Sequence, residues 1–254
     1  MPVTAVIGDI HGCIRTLDKL INDIEKRFSD VQYISLGDII DRGPGICDVM
    51  RLLMMMKSEG KLEMLRGNHE DVLIDFADKT NDYSHQRWLD YGGRETLACL
   101  SGRSIPYHAE DLDADDYIPY IKPFLEFLES AEYKLGMRFD NNNFMFSHAG
   151  IGPSIGKSHM VEEFQARENY LFMWSRDTWR STEQYYGYTM VHGHTPVKEI
   201  EVHNDPHKPF VNKNKRGELV SIALDTGCVY GYSLSSMIID TCGDYEFLSV
   251  RNCE

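Results

Sequence analysis

The chain of 254 residues lacks any apolar run of about 18 residues, the length that a membrane-spanning helix requires. It also lacks the basic and then apolar N-terminal segments of a secretory signal peptide. Basic residues are in the minority, since 26 Lys and Arg stand against 40 Asp and Glu and give a net charge of −14. Such a balance argues against the basic surfaces that bind nucleic acids. These absences predict a cytoplasmic protein whose partners include neither a membrane nor a nucleic acid.

The cysteines also lack a recognisable pattern. None of the six forms a CxxC pair, the spacing that is typical of zinc sites and redox motifs. Scattered cysteines of this kind predict reduced thiols in a reducing compartment. The sequence has no internal repeat and no linker-like stretch. We therefore expect one domain over residues 1–254, with the 42% hydrophobic content of a globular fold.

What the chain does contain is a set of five polar segments, each built around glycine. They are Gly8-Asp9-Ile10-His11-Gly12, Gly37-Asp38-Ile39-Ile40-Asp41-Arg42-Gly43, Gly67-Asn68-His69-Glu70, Ser147-His148-Ala149-Gly150 and His192-Gly193-His194-Thr195. Taken alone, each segment would favour a simple turn or a structural histidine over a functional site. All five in one chain favour a functional site instead.

The first three segments each follow a short apolar run, at residues 3–7, 31–36 and 62–65. These runs are typical of buried strands, and apolar residues recur at helical spacing between them. Residues 1–70 therefore predict an α/β arrangement of three strands and two helices. The polar segments would lie at the carboxyl ends of the strands, where sheets of this kind bind ligands.

The later chain predicts a change of structure. Residues 71–132 indicate a helical, cap-like insertion, in which Pro123 favours a broken or late-starting helix. A hairpin around residues 140–143 then leads to His148, and a strand at residues 189–192 leads to His194. Residues 202–214 are rich in Pro, Asn, Lys and His and predict an exposed loop. Further strands are expected at residues 219–224, 236–240 and 245–250.

The residue types in the five segments suit metal ions. Asp9 and His11 can turn toward one cation, and a carboxylate with an imidazole suits Mn, Fe or Zn. Asp38 follows the next strand and can bridge two ions. The remaining candidate ligands are Asn68, His148 and His194. Together they predict two divalent ions, with Mn favoured and Fe or Zn as alternatives, that activate a bridging hydroxide.

Three polar residues are left over for the chemistry of a phosphate ester. Arg42 can clamp phosphate oxygens with its planar guanidinium group. His69 can protonate the leaving group, and Asp41 can orient His69 and favour its protonated form. The candidates for a second phosphate-binding cation are Arg176, which is favoured, and then Arg66 and Arg94. His192, two residues before His194, is a candidate for a supporting role near the site.

The motifs GDIHG, GDIIDRG, GNHE, SHAG and HGHTP, in this order, resemble the metal-dependent phosphoprotein phosphatase family of the calcineurin-like metallophosphoesterases. The resemblance is to its bacterial and phage branch, which includes the lambda phage phosphatase. It implies a β-sandwich flanked by helices, with a dinuclear metal centre on loops at one edge. It also implies Asp9, His11 and Asp38 on the first metal. The ligands that it implies for the second are Asp38, Asn68, His148 and His194.

The same resemblance implies that His69 and Asp41 are the general acid and its partner, and that Arg42 and Arg176 bind phosphate. We therefore expect a serine/threonine protein phosphatase that hydrolyses phosphomonoesters without a covalent intermediate. Its substrate would be a phosphoprotein or a phosphorylated small molecule.

Two alternatives remain open at this point. The symmetrical diadenosine tetraphosphate hydrolases share the GDxHG motif and the Arg-Gly-Pro at residues 42–44. Asp41 and Glu70 favour the protein phosphatases over them. A non-enzymatic module that only binds metal and docks partners is the other alternative, although every expected catalytic position is filled.

Overall fold

The computed structural model describes residues 2–79, 82–153 and 161–254. Within these ranges the strands are β1 (Val3–Ile7), β2 (Val31–Ser35), β3 (Leu62–Met64), β4 (Lys134–Arg138), β5 (Asn143–Ser147), β6 (Thr189–His192), β7 (Phe210–Lys213), β8 (Leu219–Ala223), β9 (Ser233–Ile239) and β10 (Tyr245–Arg251). The α-helices are α1 (Ile14–Glu25), α2 (Ile46–Ser58), α3 (Asn68–Asp78), α4 (Asp82–Trp88), α5 (Arg94–Ser101), α6 (Ile118–Glu129) and α7 (Val161–Trp174).

The strands form two mixed five-stranded sheets. The first has the order β10-β9-β1-β2-β3, in which β1, β2 and β3 are parallel and β9 runs antiparallel to β1. The second has the order β4-β5-β6-β8-β7, with β5, β6 and β8 parallel. Because parallel strands bring their carboxyl ends to one edge, the loops after β1, β2 and β3 can meet those after β5 and β6.

The two sheets face each other across an apolar layer. Val6 of β1 and Ile34 of β2 pack there with Phe144 and Phe146 of β5, and all four are buried. The neighbouring residues of β1, Ala5 and Ile7, point to the opposite face, where they join the core beneath the helices. This alternation is the two-residue period of a strand that is buried on both faces. The predicted α/β β-sandwich flanked by helices is confirmed.

Helices α3 to α6 lie between residues 68 and 129, and the cap-like insertion was predicted for 71–132. Residues 80 and 81 of that insertion lie outside the described residues. The interruption predicted at Pro123 is wrong, because α6 runs through it from Ile118 to Glu129. Pro123 is the sixth residue of this helix, so its missing N–H removes one hydrogen bond, the one to the carbonyl of Pro119, and the helix continues without it.

The structure corrects two further predictions. Residues 202–214 were predicted as a loop, but they contain β7, which pairs antiparallel with β8 at the edge of the second sheet. The cysteines were predicted to be reduced, but Cys47 of α2 and Cys99 of α5 form a disulfide with their Cα atoms 6.2 Å apart. These cysteines are 52 residues apart in sequence. Only the packing of α2 beside α5 brings them together, so no spacing rule could predict the bond.

Candidate metal centre

The five polar segments converge at one edge of the two sheets. The loop after β1 carries Asp9 and His11, and the loop after β2 carries Asp38. Asn68 is the first residue of α3, immediately beyond β3, whereas His148 and His194 follow β5 and β6. All six of these side chains belong to buried residues. The sandwich thus assembles every metal ligand proposed from the sequence at one place.

Asp38 lies at the centre of this cluster and faces two groups of ligand atoms. Its Oδ2 lies 3.4 Å from His11 Nε2 and 3.8 Å from His69 Nε2. Its Oδ1 lies 3.3 Å from His148 Nε2. The ligand atoms of His11, Asp38 and His69 all lie within 4.8 Å of one another, and the same holds for Asp38, His148 and His194. A carboxylate shared by two groups in this way is suited to bridging two ions.

The second group of ligand atoms, that of Asp38, His148 and His194, contains several atoms with lone pairs close together. His148 Nε2 lies 3.0 Å from Asn68 Oδ1 and 3.2 Å from His194 Nδ1. Oxygen and imidazole nitrogen atoms are ligands that divalent transition metals accept. Asn68 Oδ1, His148 Nε2 and His194 Nδ1 therefore converge on a place that fits a divalent cation.

Asp9 is held differently from the other proposed ligands. Both of its carboxylate oxygens accept the backbone N–H of His194, at 3.2 and 3.0 Å. Gly193 makes this approach possible, because a Cβ at that position would overlap Asp9 Oδ1. The loop after β6 thus locks onto the loop after β1, and neither of the two groups around Asp38 includes Asp9.

The loops that hold these residues have an uncommon backbone. Seven non-glycine residues of the described chain have positive φ, and five of them belong to the proposed site. Those five are His11, Asp38, Asp41, Arg42 and His194, with φ between 45° and 70°. Each costs about 1–2 kcal/mol relative to an ordinary conformation. Strain gathered at one edge of a fold is typical of a functional site.

Glu70 is a residue whose role sequence reasoning missed. Its buried carboxylate accepts the backbone N–H groups of Asp38 at 2.8 Å, Ile39 at 2.9 Å and Gly67 at 2.9 Å. These bonds tie the loop after β2 to the start of α3. Glu70 therefore shapes the strained turn that presents Asp38. In the sequence, the signal for this role is the Glu of the GNHE segment. There it only favours protein phosphatases over diadenosine tetraphosphate hydrolases.

The proposed general acid and its partner are in contact. His69 Nδ1 lies 2.5 Å from Asp41 Oδ2, and Asp41 is fully buried. The same carboxylate accepts the indole N–H of Trp88 at 2.8 Å and the hydroxyl of Thr96. The Asp41 amide in turn donates to Thr96 Oγ1 at 3.0 Å. Trp88 ends α4 and Thr96 lies in α5, so these two helices orient Asp41.

Arg42 lies over the first group of ligand atoms. Its Nη2 lies 2.9 Å from His69 Nε2, and its Nη1 contacts His11 Nε2. Its Nε donates to the backbone carbonyl of Tyr91 at 3.2 Å. A phosphate bound by this guanidinium group would lie beside both His69 and the cluster around Asp38.

The other candidate arginines fall into two classes. Arg66 donates to the Glu129 carbonyl at 2.8 Å and to Tyr133, so it serves the fold. Arg94 likewise donates to backbone carbonyls of residues 106 and 107. Arg176 is exposed and lines a cavity of about 420 Å³ beside Thr195, the neighbour of His194. Among the three, Arg176 is placed best to reach a substrate.

Burial and neighbouring charges set the protonation states in the cluster. Burial alone would raise the pKa of Asp38, but His148, His69 and His11 together lower it well below its usual range. Burial disfavours a charged His69, yet the carboxylates of Asp38 and Asp41 raise its pKa. Burial lowers the pKa of His11, which Arg42 lowers further, and burial with His148 lowers that of His194. His11 and His194 are therefore neutral, the state in which imidazole binds a metal.

Two more buried residues adjoin the cluster. Asp225 accepts the Gly227 N–H at 2.9 Å, and burial raises its pKa to about 6. Burial, together with the negative charge of Asp225, raises the pKa of Asp9 well above the usual range. His192 contacts the Gly193 carbonyl through Nδ1 at 3.1 Å, and burial lowers its pKa to about 4. His192 therefore stays neutral, while the acidic pair of Asp9 and Asp225 suits a nearby cation.

The arrangement as a whole defines a class of protein. Carboxylate, imidazole and amide groups converge on a shared aspartate, and an arginine and a hydrogen-bonded histidine lie beside them. Such a set can bind divalent metal ions, position a phosphate and protonate a leaving group. Residues 2–198 match the calcineurin-like phosphoesterase family. The chain belongs to this family, whose reaction is phosphoester hydrolysis.

Individual relatives differ in how much of the chain they match. An asymmetrical bis(5'-nucleosyl)-tetraphosphatase, PrpE of Oceanobacillus iheyensis, is 25% identical and covers 97% of this chain and 91% of its own length. A symmetrical bis(5'-nucleosyl)-tetraphosphatase of Paracidovorax citrulli is 26% identical over 98% of this chain and 96% of its own length. Serine/threonine-protein phosphatase 1 of Salmonella typhimurium is 38% identical, but over only 35% of this chain and 38% of its own length.

Within residues 2–79, 82–153 and 161–254, no helix is long and apolar enough to cross a membrane.

Proposed function

We propose that this protein is a metal-dependent hydrolase of dinucleoside polyphosphates, with bis(5'-nucleosyl) tetraphosphates as its substrate class. The observation that carries the proposal is the extent of similarity. Relatives named as tetraphosphatases match 97% and 98% of the chain, whereas the protein phosphatase match covers 35%. This reverses the preference drawn from Asp41 and Glu70 and favours the alternative.

The cavity beside Thr195 supports a small-molecule substrate. Its volume of about 420 Å³ is in the range of ligand sites in proteins. Arg176, Arg180 and Trp179 line it together with the carboxylates of Asp177, Glu199 and Glu201. Arg180 lies 4.5 Å from the Trp179 ring centroid and pairs with Glu201 at 3.3 Å. Cations and an aromatic ring are the groups that bind phosphates and stack against bases.

The proposed metal site would hold two divalent ions, with Mn as the favoured metal. Asp9, His11 and Asp38 would hold one ion, and Asp38, Asn68, His148 and His194 the other. When bound, the ions would supply a water of lowered pKa as the nucleophile and offset the negative charge of the phosphate.

The remaining steps belong to this chain's own side chains. Arg42 binds oxygens of the phosphate under attack and holds it beside His69. His69 Nε2 then donates its proton to the leaving oxygen, while Asp41 holds Nδ1 and stabilises the protonated ring. The second phosphate-binding cation would be Arg176, which lines the cavity beside Thr195.

A serine/threonine protein phosphatase is the second candidate function. The observation that favours it is the contact of 2.5 Å between His69 and the buried Asp41. A strong general acid matters most for a leaving group of high pKa, such as a serine alkoxide. A polyphosphate leaves more readily and depends less on His69.

A parallel assay decides between the two functions. The protein is treated with a chelator, reloaded with Mn and offered diadenosine tetraphosphate beside phosphoserine and phosphothreonine peptides. We expect kcat/KM on the dinucleotide to exceed that on the peptides by at least about tenfold, and peptide preference would overturn the proposal. Chromatography of the products distinguishes asymmetrical cleavage, which yields a mono- and a triphosphate, from symmetrical cleavage into two diphosphates.

Two variants serve as controls for activity from a contaminating phosphatase. Asp38→Asn removes the shared carboxylate and should abolish turnover of every substrate. Asp23→Asn removes one carboxylate from the exposed side of α1, where it pairs with Lys19 at 3.2 Å. Equal activity in both variants would show that the measured turnover does not come from this centre.

A further inference from the structure

A tyrosine lies at the rim of the metal centre, beside Arg42. Tyr230 ends a short 3-10 turn that Gly227 and Gly231 flank, with φ of 66° and 85°. Its ring centroid lies 5.7 Å from the Arg42 guanidinium carbon, and 46% of the residue is exposed. The ring therefore extends from the arginine that is proposed to bind phosphate toward solvent.

A second cation contacts the same ring. Lys198 Nζ lies 4.3 Å from the Tyr230 centroid and 5.3 Å from that of Tyr232. The contact of each cation with the ring face is attractive, because the face carries the negative part of the quadrupole. Two positive charges, those of Arg42 and Lys198, are thereby held near one ring.

The backbone around Lys198 is hydrogen-bonded to the loop that carries Asp225. Lys198 lies four residues after His194, in the turn Val197–Glu199. The Val197 N–H donates to the Asp225 carbonyl at 2.8 Å, and Val197 is buried. Lys198 itself is exposed, and among the described residues no carboxylate forms an ion pair with it. In a chain of net charge −14, an exposed lysine without a carboxylate partner beside a buried anion-binding site is suited to a further anion.

We propose that Lys198 and Tyr230 form a subsite for a second phosphate group of the substrate, next to the phosphate that Arg42 binds. This inference deepens the proposed function, since it assigns residues to the polyphosphate chain. Lys198 pairs with the phosphate beyond the scissile bond, and Tyr230 holds the ammonium group in place. A phosphomonoester has no second phosphate to offer, so the subsite selects polyphosphates.

The test compares two inorganic ligands of the Mn-loaded protein. Tripolyphosphate and orthophosphate are measured as competitive inhibitors of p-nitrophenyl phosphate hydrolysis, and the ratio of their inhibition constants is determined. In Lys198→Gln we expect the preference for tripolyphosphate to fall by about tenfold, as for one lost charge-assisted contact. Chelation of Mn by tripolyphosphate affects every variant equally at fixed concentrations, so it does not change the comparison.

Matched variants make the result specific. Lys19→Gln removes one exposed lysine charge from α1 and should leave the ratio unchanged. Tyr230→Leu should lower the preference as Lys198→Gln does, while Tyr230→Phe keeps the ring and should retain it. The loss should also shrink at high salt, because the subsite is exposed.

The outcomes separate this inference from the proposed function. A ratio that changes equally little in Lys198→Gln and Lys19→Gln overturns the subsite, whatever the substrate of the wild-type protein. A wild-type protein that prefers phosphopeptides, but whose Lys198→Gln variant loses the preference for tripolyphosphate, contradicts the proposed function and supports the subsite.

Discussion

Replacing Thr96 by valine should perturb His69, the proposed general acid, without touching a reacting atom. Thr96 is fully buried in α5, and its hydroxyl donates to Asp41 Oδ1 and accepts the Asp41 N–H at 3.0 Å. Valine keeps the shape of threonine but removes both hydrogen bonds. Among the described residues, the buried Asp41 amide then has no partner, and the carboxylate keeps two donors, the Trp88 indole and His69.

The magnitude follows from these two losses. An unsatisfied buried amide costs about 1–3 kcal/mol, and a hydrogen bond to a charged group contributes about 1.5–3 kcal/mol. Because the site can relax, we expect Thr96→Val to lower the free energy of unfolding by about 2–4 kcal/mol. We expect kcat on phenyl phosphate to fall by about tenfold, as when a residue that orients a functional side chain is lost. The loss on p-nitrophenyl phosphate should be smaller, since its leaving group needs less protonation.

The chain contains a matched control for this variant. Thr16 is also fully buried, and its hydroxyl donates to the Glu254 carboxylate at 3.1 Å and accepts the Cys253 N–H at 3.1 Å. Thr16→Val thus removes the same pair of bonds in α1. Urea unfolding in the presence of chelator, which avoids stabilisation by metal, should show a loss of stability in both variants. The loss should be smaller in Thr16→Val, because Cys253 is exposed and water can satisfy its amide. Only Thr96→Val should change kcat.

Two results would refute this reasoning. One is an unchanged kcat on phenyl phosphate in Thr96→Val, which would show that Asp41 orients His69 without the hydroxyl. The other is an equal loss of kcat in Thr16→Val, which would assign the effect to stability alone.

Three further substitutions test other parts of the centre. His69→Asn should lower kcat on phenyl phosphate far more than on p-nitrophenyl phosphate, and equal losses on the two substrates would exclude His69 as the acid. Arg42→Ala should weaken phosphate binding by about 2–3 kcal/mol, which would raise KM and the inhibition constant of orthophosphate. Unchanged values of both constants would show that Arg42 does not bind phosphate. Gly193→Ala places a Cβ onto Asp9 Oδ1 and should weaken Mn binding, measured by calorimetry. Gly136→Ala, whose Cβ would meet its nearest atom at 3.4 Å, should bind Mn normally, and equal affinities in the two alanine variants would contradict the locking of Asp9.

The extent to which the sequence predicts the fold depends on the kind of element. β1 and β6 begin and end where expected, because apolar runs bounded by glycine-rich polar segments are strong local signals. β7 was missed because an edge strand is half exposed and its composition resembles that of a loop. The Cys47–Cys99 bond was missed because it depends on how α2 packs beside α5.

The candidate site was likewise predicted only in part from the sequence. The sequence alone named Asp9, His11, Asp38, Asn68, His148 and His194, because glycine, acidic residues and histidine recur at strand ends in five separate segments. It also singled out Arg42 and the pair of His69 and Asp41. These predictions depend only on which residue types occur together in short segments, and not on the distances between segments in the folded protein.

Only the tertiary structure decided how these residues relate to the rest of the molecule. It placed Asp38 between two groups of ligand atoms, attached Asp41 to Thr96 and Trp88, and brought Lys198 to the ring of Tyr230. Each of these contacts joins residues about 30 or more positions apart, and such contacts follow from the packing of sheets and helices rather than from local pattern. The sequence by itself thus determined the chemistry available to this protein, while the fold decided its geometry, because distances between remote segments exist only once the core has formed.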